Sequence, residues 1–329
     1  MYTNLLLFLV AIFLFTIESV PEVPLLSVWQ SLALSGFLLV GFDRLARAAY
    51  RRSSAWRSAG YFRTEKYLSV ISLCFFSVLI YACDPKFYLT KLLGQTIPAL
   101  VNIAGLLLFV LFLVLIWRAG RRNYQVVFGR RYSSRSFIIA NLKANLPIVL
   151  PWVVLSLFYD LIVLLPFPGV NKLLGSEWGD LYFFGIFLFF VVIFFPPLVR
   201  RLWGCRRLED GFLKDHLTSF CAKLGFKAEF YLWPLFEGRM LTVGVMCIVP
   251  GLRYILVTPA LLETMNLAEL EAIMAHEIGH VKKFHLLLYI LLVAGFSVLA
   301  GMLAEPLIYL FLSLDVVNRF VIAHQISME

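Results

Sequence analysis

Seven long apolar segments constrain the fold of this 329-residue chain more than any other feature. Each approaches the roughly 20 residues that an α-helix needs to cross the hydrocarbon core of a bilayer. The chain is 61% hydrophobic and only 15% charged, whereas soluble globular domains carry about 25% charged residues. This composition excludes a soluble or disordered protein and predicts an α-helical polytopic membrane protein. The predicted spans are 4–20, 25–42, 66–83, 97–117, 146–165, 181–199 and 286–312.

The loops between these segments alternate between arginine-rich and arginine-poor. The rich loops follow the second, fourth and sixth segments, and the loops between them contain few basic residues. By the positive-inside rule, we expect the N-terminus and residues 200–285 to be cytoplasmic and the tail 313–329 to lie on the far side. Membrane orientation thus explains the net charge of +9, and no nucleic-acid partner is expected.

Residues 200–285 differ from the rest of the chain because they have an ordinary polar composition. Asn266 followed by Glu269 has the spacing of a capping box, which predicts the start of a long helix. Apolar periodicity and Gly/Pro boundaries predict helices over 211–225, 260–265 and 266–285, with three short strands inside 226–259. The predicted organisation is a six-span bundle (1–199), a small cytoplasmic α+β domain (200–285), a seventh span (286–312) and a tail (313–329).

The sequence HEIGH at residues 276–280 contains the candidate metal-binding and catalytic residues. Residues four apart share a helix face, so His276 and His280 can direct ring nitrogens at one metal ion, and these donors favour Zn²⁺. Glu277 stands beside the first ligand and can take a proton from water and return it to a leaving amine. By contrast, His285 lies about 180° round an unbroken helix from His276 and is expected to face away from the metal.

The residues around this motif resemble the integral-membrane zinc peptidases of the CAAX prenyl protease type 1 and bacterial heat-shock membrane protease group. The resemblance covers about 213–285 and is most specific in LVTPALLETMNLAELEAIMAHEIGH. In that family a strand and a Thr-Pro turn lead through a short helix into the zinc helix. The resemblance implies that a peptide substrate adds as a strand to a sheet edge, for which 240–245 is the candidate. The alternative is that 240–245 forms an interior strand of the sheet.

Two histidines leave a catalytic zinc site one protein ligand short. The resemblance implies a glutamate on a later helix, and only Glu305 and Glu329 follow the motif. A span at 286–312 would carry both to the far side of the membrane. We therefore expect the third ligand beyond Glu329, in a C-terminally incomplete chain. The alternative is a re-entrant hairpin in 286–312 that returns Glu305 to the metal.

The predicted function is a zinc-dependent endopeptidase that hydrolyses peptide bonds of membrane or misfolded proteins at the cytoplasmic face of a bacterial inner membrane. Its partners are a protein or peptide substrate and the lipid bilayer. One alternative is a membrane sensor-peptidase that signals by a single limited cleavage. The other is a non-catalytic membrane scaffold or pseudoenzyme.

Overall fold

The computed structural model divides the chain into two compact units. The helical unit comprises Met1–Cys205 and Trp233–Gly238, and the α+β unit comprises Arg206–Leu232 and Arg239–Glu329. The structure describes the chain except for residues 1, 53–57, 95, 130–132, 165–168, 170–171, 173–175, 177–178, 235–240, 247–252, 286, 289–290, 293–294, 296–298, 300–301, 304–305, 307–308, 310–312 and 314–329.

Helix α5 is the centre of the helical unit, since α1, α2, α3, α4 and α6 all pack against it. Its Phe109, Phe112 and Ile116 are fully buried. Gly105 lets α1 approach closely, because a Cβ there would lie 2.4 Å from the Phe15 ring. The helices are α1 (Tyr2–Ile17), α2 (Val28–Arg52), α3 (Ser58–Cys83), α4 (Pro85–Leu93), α5 (Pro98–Phe128), α6 (Ser134–Leu164) and α7 (Gly179–Leu202).

Four of the described helices are long and apolar enough to cross a membrane: Ser58–Cys83, Pro98–Phe128, Ser134–Leu164 and Tyr182–Leu202. They coincide with the third to sixth predicted spans. The first predicted span forms a shorter apolar helix, Asn4–Ile17, and the second falls in α2, which is not among the four. The seventh lies partly outside the described residues. The protein is thus an apolar helical protein with candidate membrane helices, but seven spans are not confirmed.

The α+β unit is built on a four-stranded sheet in the order β1-β2-β4-β3. Strands β2 and β4 are parallel, and the other two pairs are antiparallel. The sheet and helices share one apolar core, in which Leu217, Ile255 and Met274 are at most 1% exposed. The elements are β1 (Arg206–Arg207), α8 (Phe212–Lys223), β2 (Glu229–Leu232), β3 (Val243–Met246), β4 (Tyr254–Val257), α9 (Pro259–Thr264) and α10 (Leu267–Lys282).

All three predicted strands and all three predicted helices of this unit are present, and the structure adds the short strand β1. Strand β3 lies at one edge of the sheet, paired with β4 alone among the described strands. Residues 243–245 of the candidate edge 240–245 therefore belong to an edge strand, whereas Met240 lies outside the described residues. Helix α10 packs against β3 and so brings the motif to this side of the sheet.

Candidate metal centre

Helix α10, which carries the motif, begins with the predicted capping box. The Asn266 side chain accepts from the Glu269 backbone N–H at 3.0 Å, and the Glu269 carboxylate accepts from the Asn266 N–H at 2.9 Å. Both bonds satisfy backbone donors that would otherwise lack a partner in the first helical turn. Glu269 is thus occupied at the helix start, two turns from the motif, as predicted.

The two faces of α10 have different partners. Leu270, Met274 and Ile278 follow one another at four-residue spacing and are at most 2% exposed in the core of the unit. His276 stands two residues beyond Met274, which places it about 200° round the helix. His276 is accordingly exposed and His280 half-buried. Core packing on one face therefore fixes the direction of the histidines on the other.

The two motif histidines converge. His276 Nε2 and His280 Nε2 lie 3.1 Å apart, and the rings meet nearly edge to face with centroids separated by 4.7 Å. Two nitrogens bound at 2.0–2.1 Å to a tetrahedral zinc stand about 3.3 Å apart. The pair thus fits the separation that zinc requires, and neutral imidazole nitrogens are among the donors that zinc prefers.

Glu277 lies next to this pair and is half-buried. Within the part of the chain that the structure describes, its carboxylate makes no hydrogen bond or ion pair with another side chain. The neighbouring acids differ in this respect: Glu271 holds His216, with Oε1 2.8 Å from Nε2, and Glu269 caps the helix. Glu277 is therefore available for proton transfer.

His285 does not lie on the opposite side of the helix from the motif, so the predicted 180° placement is wrong. Its Nδ1 lies 2.6 Å from Nδ1 of His280, and the two ring centroids are 4.7 Å apart. The prediction extrapolated one helix to residue 285, whereas α10 ends at Lys282 and Phe284 takes a left-handed φ of 52°. The consecutive lysines 282 and 283, which favour the last turn of a helix, were the available signal for this ending.

A third ligand is not found among the described residues, which contain no group of three or more His, Cys, Asp or Glu side chains arranged to hold a metal ion. His285 does not complete the set, because it meets the nitrogen of His280 opposite the one that faces His276. Glu305 and Glu329, the two glutamates that follow the motif, lie outside the described residues, as does His324.

A buried threonine that sequence reasoning missed anchors the nearby sheet edge. The Thr258 hydroxyl donates to the Thr242 carbonyl and accepts from the Thr242 N–H, both at 3.2 Å, and the Thr258 N–H also donates to that carbonyl at 3.2 Å. Thr258 is completely buried. These bonds continue the β3–β4 pairing by one residue beyond the Val243–Val257 pair. They hold the edge strand where it begins.

The model of Peptidase family M48 matches residues 247–327, which include the whole motif helix. The resemblance inferred from the sequence for about 213–285 is confirmed over the shared residues 247–285. A crystal structure of S. mikatae Ste24p matches with a TM-score of 0.48 and 16% identity, over 86% of this chain and 72% of that chain. No curated protein sequence matches significantly.

Proposed function

Because residues 247–327 match peptidase family M48, we propose that this chain is a membrane zinc endopeptidase with His276 and His280 as metal ligands and Glu277 as general base. One observation carries the proposal: the two Nε2 atoms lie 3.1 Å apart on the solvent side of α10, with an unpaired carboxylate beside them among the described residues. The apolar helices support placement in a membrane.

Zinc bound between the two histidines would supply a Lewis acid that polarises the scissile carbonyl and acidifies water. Glu277 then accepts a proton from the attacking water and delivers it to the amine that leaves. The carboxylate is suited to this role because, within the described residues, it is neither ion-paired nor engaged in capping.

We further propose that an extended peptide pairs with β3 and thereby lies alongside the motif. The edge position of β3 and the packing of α10 against it support this proposal. The backbone of Thr242 bonds to Thr258 at the end of β4. Since successive residues of an antiparallel strand alternate between facing their partner and facing away, Val243 and Val245 are expected to direct their backbone N–H and C=O groups away from β4. Strand addition reads the peptide backbone and suits a peptidase of broad sequence tolerance, such as one that removes misfolded membrane proteins.

The proposal places the α+β unit on the cytoplasmic side of a bacterial inner membrane. Its support is the alternation of arginine-rich and arginine-poor loops along the sequence. The arginine-rich segments that follow the second and fourth predicted spans begin within helices α2 and α5. Arg51 and Arg52, for example, lie in the last turn of α2. Such basic helix ends are retained on the cytoplasmic side during insertion.

The deciding experiment compares the wild-type chain, Glu277→Gln and Glu263→Gln in detergent, with an unfolded protein substrate and a quenched peptide library. Glu263 is an exposed glutamate on the preceding helix α9 and provides the matched control. Loss of the general base should lower the cleavage rate by about 100-fold or more, whereas the control should cleave at the wild-type rate. Zinc content should be unchanged in both variants. Retained cleavage by Glu277→Gln, or no cleavage by the wild type, would refute the proposed function.

A further inference from the structure

Three imidazoles form a continuous chain at the motif. His276 and His280 meet through their Nε2 atoms at 3.1 Å, and His280 meets His285 through their Nδ1 atoms at 2.6 Å. Both nitrogens of the central ring of His280 are therefore engaged. The outer contact joins a motif residue to one that lies outside the motif.

We propose that His285 is a positioning residue that accepts the Nδ1–H of His280 and thereby holds the tautomer in which His280 presents a bare Nε2. This inference rests on the proposed function, in which that Nε2 binds zinc. It assigns to His285 a role that neither the motif nor the family match specifies.

The physical reason is the single proton of a neutral imidazole. When that proton is on Nδ1, Nε2 has a free lone pair, and when it is on Nε2 that nitrogen cannot bind a metal. A hydrogen-bond acceptor at Nδ1 selects the first state and also fixes the ring plane. His285 Nδ1 accepts this proton when its own proton is on Nε2.

The distance between the Nδ1 atoms of His280 and His285 indicates a hydrogen bond and not direct metal binding by His285. At 2.6 Å, the two Nδ1 atoms stand at hydrogen-bond separation, below the roughly 3.3 Å expected for two nitrogens on one tetrahedral zinc. The contact also uses the far nitrogen of His280, so His285 lies across that ring from His276. A metal ion facing both motif Nε2 atoms is therefore out of reach of His285.

The end of α10 is shaped to place His285 there. The Lys283 N–H donates to the Gly279 carbonyl at 3.0 Å, and the Phe284 N–H donates to Val281 at 3.1 Å. Phe284 then adopts its left-handed φ of 52°, which non-glycine residues adopt at some cost. This turn folds the chain back so that residue 285 meets residue 280 instead of continuing round the helix.

The test measures the zinc dissociation constant of the full chain by chelator competition. His285→Leu removes the acceptor, and His285→Asn keeps a carbonyl oxygen near the position of Nδ1. His216→Leu is the control, since His216 contacts the same helix through Glu271, away from the motif. His285→Leu should weaken zinc binding by about 10- to 100-fold, whereas His285→Asn and His216→Leu should stay within about threefold. Wild-type affinity in His285→Leu, or equal losses in the Leu and Asn variants, would overturn the inference.

A second measurement reads the tautomer without metal. In zinc-free protein labelled with ¹⁵N-histidine, long-range ¹H–¹⁵N spectra should show His280 as the Nδ1–H tautomer, and this signal should be lost in His285→Leu. A His280 that carries its proton on Nε2 in the wild type would overturn the inference. A wild-type chain that shows the Nδ1–H tautomer but binds no zinc would instead refute the proposed function, so the two failures are distinguishable.

Discussion

The buried hydroxyl of Thr258 makes a quantitative prediction about the sheet edge beside the motif. Thr258→Val keeps the side-chain shape but removes both hydroxyl bonds to Thr242. The Thr242 carbonyl retains its bond from the Thr258 N–H, so only the Thr242 N–H loses its partner. An unsatisfied buried donor costs about 1–3 kcal/mol, and Thr242 is half-buried, so we expect the lower part of that range, about 1–2 kcal/mol.

The buried thiol of Cys221 provides the assay. Cys221 on α8 is 2% exposed in the same core, and burial raises the pKa of its thiol to about 11. At pH 8 it therefore stays protonated and shielded in the folded unit and reacts with iodoacetamide only when the unit opens. Alkylation of the Cys221 peptide, followed by mass spectrometry, reports the free energy of that opening.

A loss of about 1–2 kcal/mol should speed Cys221 alkylation by about 5- to 30-fold in Thr258→Val. Thr264→Val is the matched control, because the Thr264 hydroxyl is exposed and, among the described residues, bonds only the Ala260 carbonyl one turn earlier. The control should leave the rate nearly unchanged. An unchanged rate in Thr258→Val, or an equal acceleration in both variants, would refute the reasoning.

Three further substitutions test other parts of the structure. Asn266→Ala removes the capping box and should cost about 1 kcal/mol, seen as roughly fivefold faster Cys221 alkylation; an unchanged rate would contradict the cap. Gly279→Ala should slow that alkylation by stabilising α10 by about 0.5–1 kcal/mol. Zinc binding should persist, because no atom of the described residues lies within 4 Å of the added Cβ. Gly105→Ala should destabilise the helical unit by about 1–3 kcal/mol and lower its thermal midpoint in detergent. Gly36→Ala, where the described residues leave room for a Cβ, should not change the midpoint. Equal midpoints for the two variants would contradict the close packing at Gly105.

The elements around the motif could be predicted because their signals are local. The capping pair Asn266 and Glu269 marks the start of α10, and the four-residue spacing of His276 and His280 places them on one face. Short apolar stretches bounded by Gly and Pro indicated the three longer strands. In each case neighbours in the sequence determine the structure.

The features that could not be predicted depend on distant residues or on one backbone angle. The parallel pairing of β2 with β4 joins segments that are far apart along the chain, such as Glu229 and Tyr254, and β1 forms only because β2 is beside it. The reversal at Phe284 occurs without the glycine or asparagine that usually signals a left-handed residue. Because of this reversal, His285 contacts the ring of His280, whereas an unbroken helix would have placed it on the far side.

The most direct test of the central claim is the zinc content of the purified 329-residue chain. The protein is equilibrated with a small excess of zinc in detergent, desalted, and analysed for metal per chain, alongside a His276→Ala/His280→Ala variant whose fold is checked by Cys221 alkylation. Because His276 and His280 are the proposed ligands, the wild-type chain should retain more zinc than the folded double variant, which should hold almost none. The same zinc content in both proteins would contradict this claim.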